Sequence, residues 1–409
     1  MKSMQNSKEY KKEEQMVLEL LKKEVFHTTF SLQEEVDWEE VAKESMHQST
    51  MLTAFSHCEQ LEIPEEVRRK IIKQSEEYMK ANLLNFQWHG KVHLMMEELH
   101  VPYCILKGVA SAAYYPEPLL RQMGDIDFLV RKEDLEIVGK KLEMIGFTKI
   151  ESKDYHHHID YEKDNVLLEV HFDSPGIPRG EAESTIRSYL SDLLERSQRT
   201  ENIPFPVQVP SPFHHGLVML LHLQEHLMNE GIGIRHLCDW AVFVDSMEEI
   251  EFVEQFQKPL QEMGLWKLAQ IFSLASVQAF ALEKKPWMGE EEQLAEAILL
   301  DIIAGGSRGI KDMQRLYEGM FINDSRKLGF QKGRMHQALE SVSQIAYGNW
   351  PFMRRYKIFL PIGWLMLYIR RSYRVLTGQR EKINYMEAYK NSSGRKELYQ
   401  QLHVFEKET

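Results

Sequence analysis

Asp125 and Asp127 stand one residue apart in the run Gly124-Asp125-Ile126-Asp127-Phe128-Leu129-Val130, and two carboxylates so spaced call for a cation. In an extended strand, side chains two positions apart point the same way and lie roughly 6.5 Å apart, so both carboxylates face one point. Ile126, Phe128, Leu129 and Val130 predict a buried strand, in which an uncompensated carboxylate would be costly. Magnesium resolves that conflict, because it takes a few carboxylate oxygens and leaves the rest of its shell to water and phosphate. Downstream, Asn165 through Phe172 alternates as a strand with Glu169 and His171 on one face, which makes Glu169 a candidate third carboxylate. His171 fits either packing beside that site or catalysis. Upstream, Tyr103 to Lys107 reads as a strand that runs into Gly108, and Val109 to Tyr114 reads as the opening of a helix. Such a junction aims unpaired backbone N–H groups at whatever lies above the turn, and phosphate suits them. Gly108 permits close approach. Lys107, at the end of its strand, either reaches phosphate or snorkels to solvent.

The pattern Leu106-Lys107-Gly108, then Arg121, then Asp125-Ile126-Asp127, then Leu168-Glu169-Val170-His171 resembles the nucleotidyltransferase fold of the DNA polymerase β superfamily. More narrowly, it is similar to a bacterial group labelled uncharacterised nucleotidyltransferases. The likeness is strongest over residues 101–173 and extends more weakly to Asp37-Trp38-Glu39 and to Leu220 through Trp240. One departure is the phosphate turn, where the superfamily commonly has Gly-Gly or Gly-Ser and this chain has Gly108-Val109-Ala110, with Ser111 as the nearest substitute. The resemblance implies an α+β fold, a mixed-sheet core flanked by helical N- and C-terminal parts. It also implies a Mg2+- or Mn2+-dependent transfer of a nucleoside monophosphate from an NTP such as ATP to an acceptor, with release of pyrophosphate. Asp125, Asp127 and Glu169 would be the catalytic and metal-holding residues, and Lys107, Gly108, Ser111 and Arg121 would bind the nucleotide. A guanidinium at Arg121, on the approach to the strand, could fork onto phosphate oxygens. A catalytically degenerate nucleotide-binding module is the alternative that the unusual turn favours.

These residues need elements to position them. Residues 1–100 show helical spacing, with an Asp37 cap before Trp38 and a long run opened by Pro64 and its acidic first turn. Residues 101–200 carry the strands, a helix from Lys132 or Glu133 to Ile145 that stops at Gly146, and a hairpin turning at Lys163-Asp164-Asn165. Four prolines in the nine residues from Pro204 to Pro212 read as an extended linker. A helical part spans 213–409. The chain has 409 residues, 43% of them hydrophobic, enough for two or three domains with a real core. With 50 basic against 62 acidic residues, the net charge of −12 argues against a protein that coats nucleic acid and for a small-molecule acceptor. Cys58, Cys104 and Cys238 lack metal-type spacing and fit a reducing cytoplasm, and the charged start of the chain does not read as a signal peptide.

Two further motifs and one apolar run invite other readings. His156-His157-His158 with Asp160 could hold a metal, although consecutive histidines on a strand face alternate sides, so no more than two should converge. His222-Leu223-Gln224-Glu225-His226 matches the H-x-x-E-H order of inverted zinc proteases, which leaves a zinc hydrolase or, alternatively, a packing role beside the nucleotide site. Ile358 to Ile369 is apolar between arginine clusters, so that 354–374 could make peripheral contact with a membrane. It is too short to span a bilayer, and a buried helix is the other reading.

Overall fold

The computed structural model describes residues 10–28, 35–150, 157–178, 180–200 and 202–312, then Arg315, Glu318, Ser343, Ala346 and Trp350, and residues 352–376 and 385–406. Five strands form one mixed sheet: β1 (Tyr103–Ile105), β2 (Ile126–Val130), β3 (Thr148–Lys149), β4 (His158–Lys163) and β5 (Val166–His171), in the order β1-β2-β5-β4-β3. A separate small pair, β6 (Gln198–Arg199) and β7 (Gln208–Val209), lies downstream. The helices are α1 (Lys12–Phe26), α2 (Trp38–His47), α3 (Met51–Ala54), α4 (Glu65–Leu99), α5 (Val109–Ala112), α6 (Leu135–Met144), α7 (Glu181–Leu190), α8 (Pro212–Met228), α9 (Ile234–Asp245), α10 (Glu249–Phe252), α11 (Lys258–Met263), α12 (Trp266–Phe280) and α13 (Glu292–Gly305). Further helices run Leu360–Leu376 and Tyr385–Gln400. The fold is α+β.

The central strands β2 and β5 are parallel, and β1 and β4 run antiparallel to their neighbours. The β4–β5 hairpin turns where Asp164 and Asn165 both take positive φ, the conformation that tight two-residue turns demand and that Asp and Asn tolerate. Period-two alternation gives the sheet two unlike faces. Ile126, Phe128, Val130, Leu168, Val170 and Tyr161 point to one side, where Phe86, Trp88, Val92 and Met96 of α4 and Val138 and Leu142 of α6 cover them. The other face carries Asp127, Glu169, His171, His158 and Asp160. A larger all-helical core gathers Leu20 and Leu21 of α1, Leu217 and Leu220 of α8, Trp240 and Phe243 of α9, Phe272 and Phe280 of α12, and Ile298 of α13. The polar sheet face lies beside it.

Caps behave as their residues dictate: the Asp37 carboxylate accepts from the N–H groups of Glu39 and Glu40 at the start of α2. Two expectations need correction. The proline run is extended but is no linker, since β7 pairs with β6, Ile203 and Val207 are buried in the sheet core, and Phe205 lies edge-on to Phe86. Apolar residues alternating with the prolines anchor it. The segment from Ile358 to Ile369 is helical from Leu360 but not buried, for Ile358, Ile362, Leu365 and Ile369 are all more than half exposed. Among the described residues no helix is long and apolar enough to cross a membrane.

Candidate active site

β1 ends at Ile105, and Leu106 and Lys107 carry the chain to Gly108, whose φ of +63° turns it into the single helical turn of α5. The helix expected through Tyr114 is therefore one turn long. A Cβ at position 108 would lie 2.9 Å from Nε2 of buried His89, so both the conformation and the space require glycine. Asn82 of α4 fixes the next segment: its Nδ2 donates to the carbonyls of Leu119 and Arg121, and its Oδ1 accepts from Met123 N–H. That segment delivers Asp125 and then β2.

β2 and β5 pair Asp127 directly with Glu169, which brings two of the three candidate carboxylates side by side, while Asp125 precedes the strand and is not in that group. Asp127 is 2% exposed and touches Lys107 Nζ at 2.7 Å and His171 Nε2 at 3.0 Å. His171 Nε2 also lies 3.2 Å from Glu169 Oε2. Asp125, at the mouth of the strand, accepts from Arg308 Nη2 at 2.9 Å. Lys107 thus does not snorkel; it turns inward to Asp127. Burial pushes the Asp127 carboxyl up, but Lys107 and His171 outweigh it and hold it well below the usual carboxylate range. Burial lowers the Lys107 pKa, yet the surrounding carboxylates more than restore it. Glu169 goes the other way: burial, reinforced by repulsion from Asp127 and Asp125 against the His171 contact, lifts it to about 7.

Lys107, Gly108, Ser111, Asp125 and Asp127 line a cleft of about 690 Å³, part of it open solvent, whose opposite wall includes His222 and His226 of α8 and Arg235 and His236 of α9. Arg121 lines it too but is buried, and its Nε and Nη2 donate to both oxygens of Asp239, which also accepts from Tyr115. The fork expected on phosphate is already closed on a carboxylate, which leaves Arg121 tying the approach to β2 onto α9. Arg235 donates to the Gln122 carbonyl and lines the cleft beside it; burial, then Arg121, lowers its pKa to about 10. Arg308, which the sequence analysis missed, comes from Gly305-Gly306-Ser307-Arg308-Gly309, where Gly306, Arg308 and Gly309 all have positive φ. A basic residue inside a glycine cluster was the available signal.

The ligand atoms of Asp127, Glu169 and His171 lie within 4.8 Å of one another, an oxygen-rich set that fits a divalent cation. No such group among the described residues includes His222, Glu225 or His226. The half-buried His222 and His226 rings stack edge-on with centroids 4.1 Å apart, but His226 is bound to Glu230 at 2.6 Å and no third ligand joins them among the described residues. Of the other histidine motif, His157 and His158 lie near His171, while His156 is outside the described residues.

A mixed sheet that brings strand-borne carboxylates to a cation-lined cleft between helices is the plan of a nucleotidyltransferase core. The profile of the uncharacterised nucleotidyltransferase family matches residues 34–280, more than half of the chain, and the protein belongs to that family. A search of curated proteins found no match.

Proposed function

We propose that the protein transfers a nucleoside monophosphate from an NTP to an acceptor, releasing pyrophosphate, with Asp125, Asp127 and Glu169 as the catalytic and metal-holding carboxylates, in the manner of the polymerase β-like superfamily. The observation that carries this reading is the direct pairing of Asp127 with Glu169 on adjacent parallel strands, beneath a cleft lined by Lys107, Arg235 and Arg308. Bound Mg2+ or Mn2+ would polarise the phosphoryl oxygens and neutralise charge as it develops. Lys107 and Arg308, now paired with Asp127 and Asp125, are placed to exchange those carboxylates for triphosphate oxygens when cations arrive. Gly108 and Ser111, at the opening of α5, would border the phosphates. The acceptor oxygen forms its bond to the α-phosphorus as the bond to the β-phosphate bridge breaks, and its proton passes to Glu169, whose raised pKa suits a base working near neutrality.

The cleft's size and the chain's negative charge favour a small-molecule acceptor over nucleic acid. We read 1–100 as a helical part, 101–200 as the core and 213–409 as the helical domain that closes over the nucleotide. Asp125→Asn and Glu169→Gln should each abolish Mg2+-dependent turnover of labelled NTP in the presence of cell extract, with circular dichroism melts close to that of the parent. Full turnover in either variant overturns the assignment. Calorimetry that finds NTP binding in the parent, with no label transferred to any extract component, would instead select the degenerate binding module.

A further inference from the structure

We propose that His157, His158 and His171 form a second metal centre on the same sheet face, suited to a borderline divalent transition ion such as Zn2+ and adjoining the carboxylate site through His171, which contacts Asp127 and Glu169. The hairpin builds it. β4 and β5 set His158 opposite His171 and Asp160 opposite Glu169, and the carbonyl of His157, just before β4, accepts from Phe172 N–H at 2.9 Å. Strand alternation argued that neighbouring histidines diverge; His157 escapes that rule because it precedes the regular strand. The three rings have centroid separations of 4.5, 5.0 and 5.5 Å, and one nitrogen from each lies within 4.8 Å of the others. Three imidazoles on one tetrahedral ion, with metal–nitrogen bonds of about 2.0–2.1 Å, have centroids on the order of 5 Å apart.

The hydrogen bonding of the rings points to the same use. His171 Nε2 is engaged by Asp127 at 3.0 Å and Glu169 at 3.2 Å, while its buried Nδ1 has no hydrogen-bond partner. His158 Nε2 lies 3.1 Å from Asp160 Oδ1 without a hydrogen bond between them, and its buried Nδ1 likewise has no hydrogen-bond partner. At His171 the carboxylate on Nε2 fixes the tautomer and leaves a lone pair on Nδ1, which is the way metal-binding histidines are commonly held. Ring stacking alone would leave both Nδ1 atoms desolvated without compensation. An ion supplies the missing partner to both at once. Nitrogen donors favour Zn2+ or Co2+, whereas Mg2+ prefers the oxygens of Asp125, Asp127 and Glu169, so the two centres meet at His171 but differ in donor chemistry.

The test uses the full-length protein, stripped with a chelator and titrated with Co2+ alone, read by visible ligand-field absorption and by equilibrium dialysis. The expected result is about one tightly bound Co2+ per chain with the absorption of nitrogen-ligated tetrahedral cobalt. His157→Gln and His158→Gln should each weaken Co2+ binding at least about tenfold and diminish the bands, with melts confirming that the variants fold, whereas Asp125→Asn should keep them. Absence of the bands in the parent overturns the proposal, as does their persistence in folded His157→Gln and His158→Gln. Since no nucleotide is present, the outcome is independent of whether the protein turns over NTP.

Discussion

A carboxylate as deeply buried as Asp127 is kept ionised only by its neighbours, and Lys107 is the nearest of them at 2.7 Å. Lys107→Met should therefore destabilise the protein by on the order of 3 kcal/mol in urea unfolding, the usual penalty for leaving half of a buried pair. Adding Asp127→Asn to that variant should restore much of the loss, because it removes the stranded charge; additive losses would show the pair to be uncoupled. Glu169 sets a pH dependence of opposite origin. Its folded pKa of about 7 exceeds the unfolded value near 4.5, so the folded state binds the extra proton between those values. The stability it contributes is complete below about pH 4.5 and is lost as pH rises through about 7. His171, raised above 6.5, pulls in the same direction from there upward. The melting temperature in the absence of divalent ions should thus fall between pH 5 and 8, and Glu169→Gln should flatten the part of that slope below about pH 7. A slope unchanged in Glu169→Gln would remove Glu169 as its source. At this scale the common face of Glu169 and His171 and the inward strand position of Asp127 were legible, because a period of two needs no partner to be read. The closing of Arg121 on Asp239 was not, since the two are 118 residues apart in the chain.

Elements place these residues to within hydrogen-bond reach, and the most economical device is α4, which braces the approach to β2 through Asn82 and through Asn85, whose Nδ2 donates to the Gly124 carbonyl at 2.7 Å. Asn82 is 1% exposed and makes three hydrogen bonds to backbone groups of residues 119–123. Asn82→Ala should cost about 2–4 kcal/mol in urea unfolding, by stranding those groups, and should reduce NTP turnover by loosening the segment that carries Asp125. A variant with parental stability and turnover would show that α4 merely covers the sheet. The strand assignments and the β4–β5 turn were readable from alternation and from Asp164-Asn165. Sheet order was not, because pairing across the sheet depends on which apolar faces α4 and α6 cover. The proline run misled for a related reason: prolines exclude a helix, but Ile203, Phe205 and Val207 between them decide that the extended chain is packed rather than free.

At the scale of the whole molecule, the cleft lies where the sheet meets the helical core, and its cations come from both sides. Lys107 belongs to the sheet, Arg235 to α9, and Arg308 to the turn after α13, beyond the family-matched residues 34–280. The chain as a whole is acidic, with a net charge of −12. These two facts act over different distances. Repulsion from the overall charge reaches about one Debye length, roughly 10 Å at 0.1 M salt, and opposes an extended polyanion that must lie across the surface. Contacts inside the cleft act at hydrogen-bond distance and are open to a compact triphosphate. Poly(U) at a phosphate concentration equal to that of the nucleotide should therefore fail to compete with a fluorescent NTP analogue, whereas inorganic tripolyphosphate should displace it. Raising the salt from about 0.05 to 0.3 M should weaken analogue binding several-fold without producing competition by poly(U), because screening reduces the cleft's attraction but adds no basic surface for a strand. Displacement by poly(U) at low salt would mean that the cations continue outside the cleft as a nucleic-acid track, and the acceptor would then have to be sought among RNA ends.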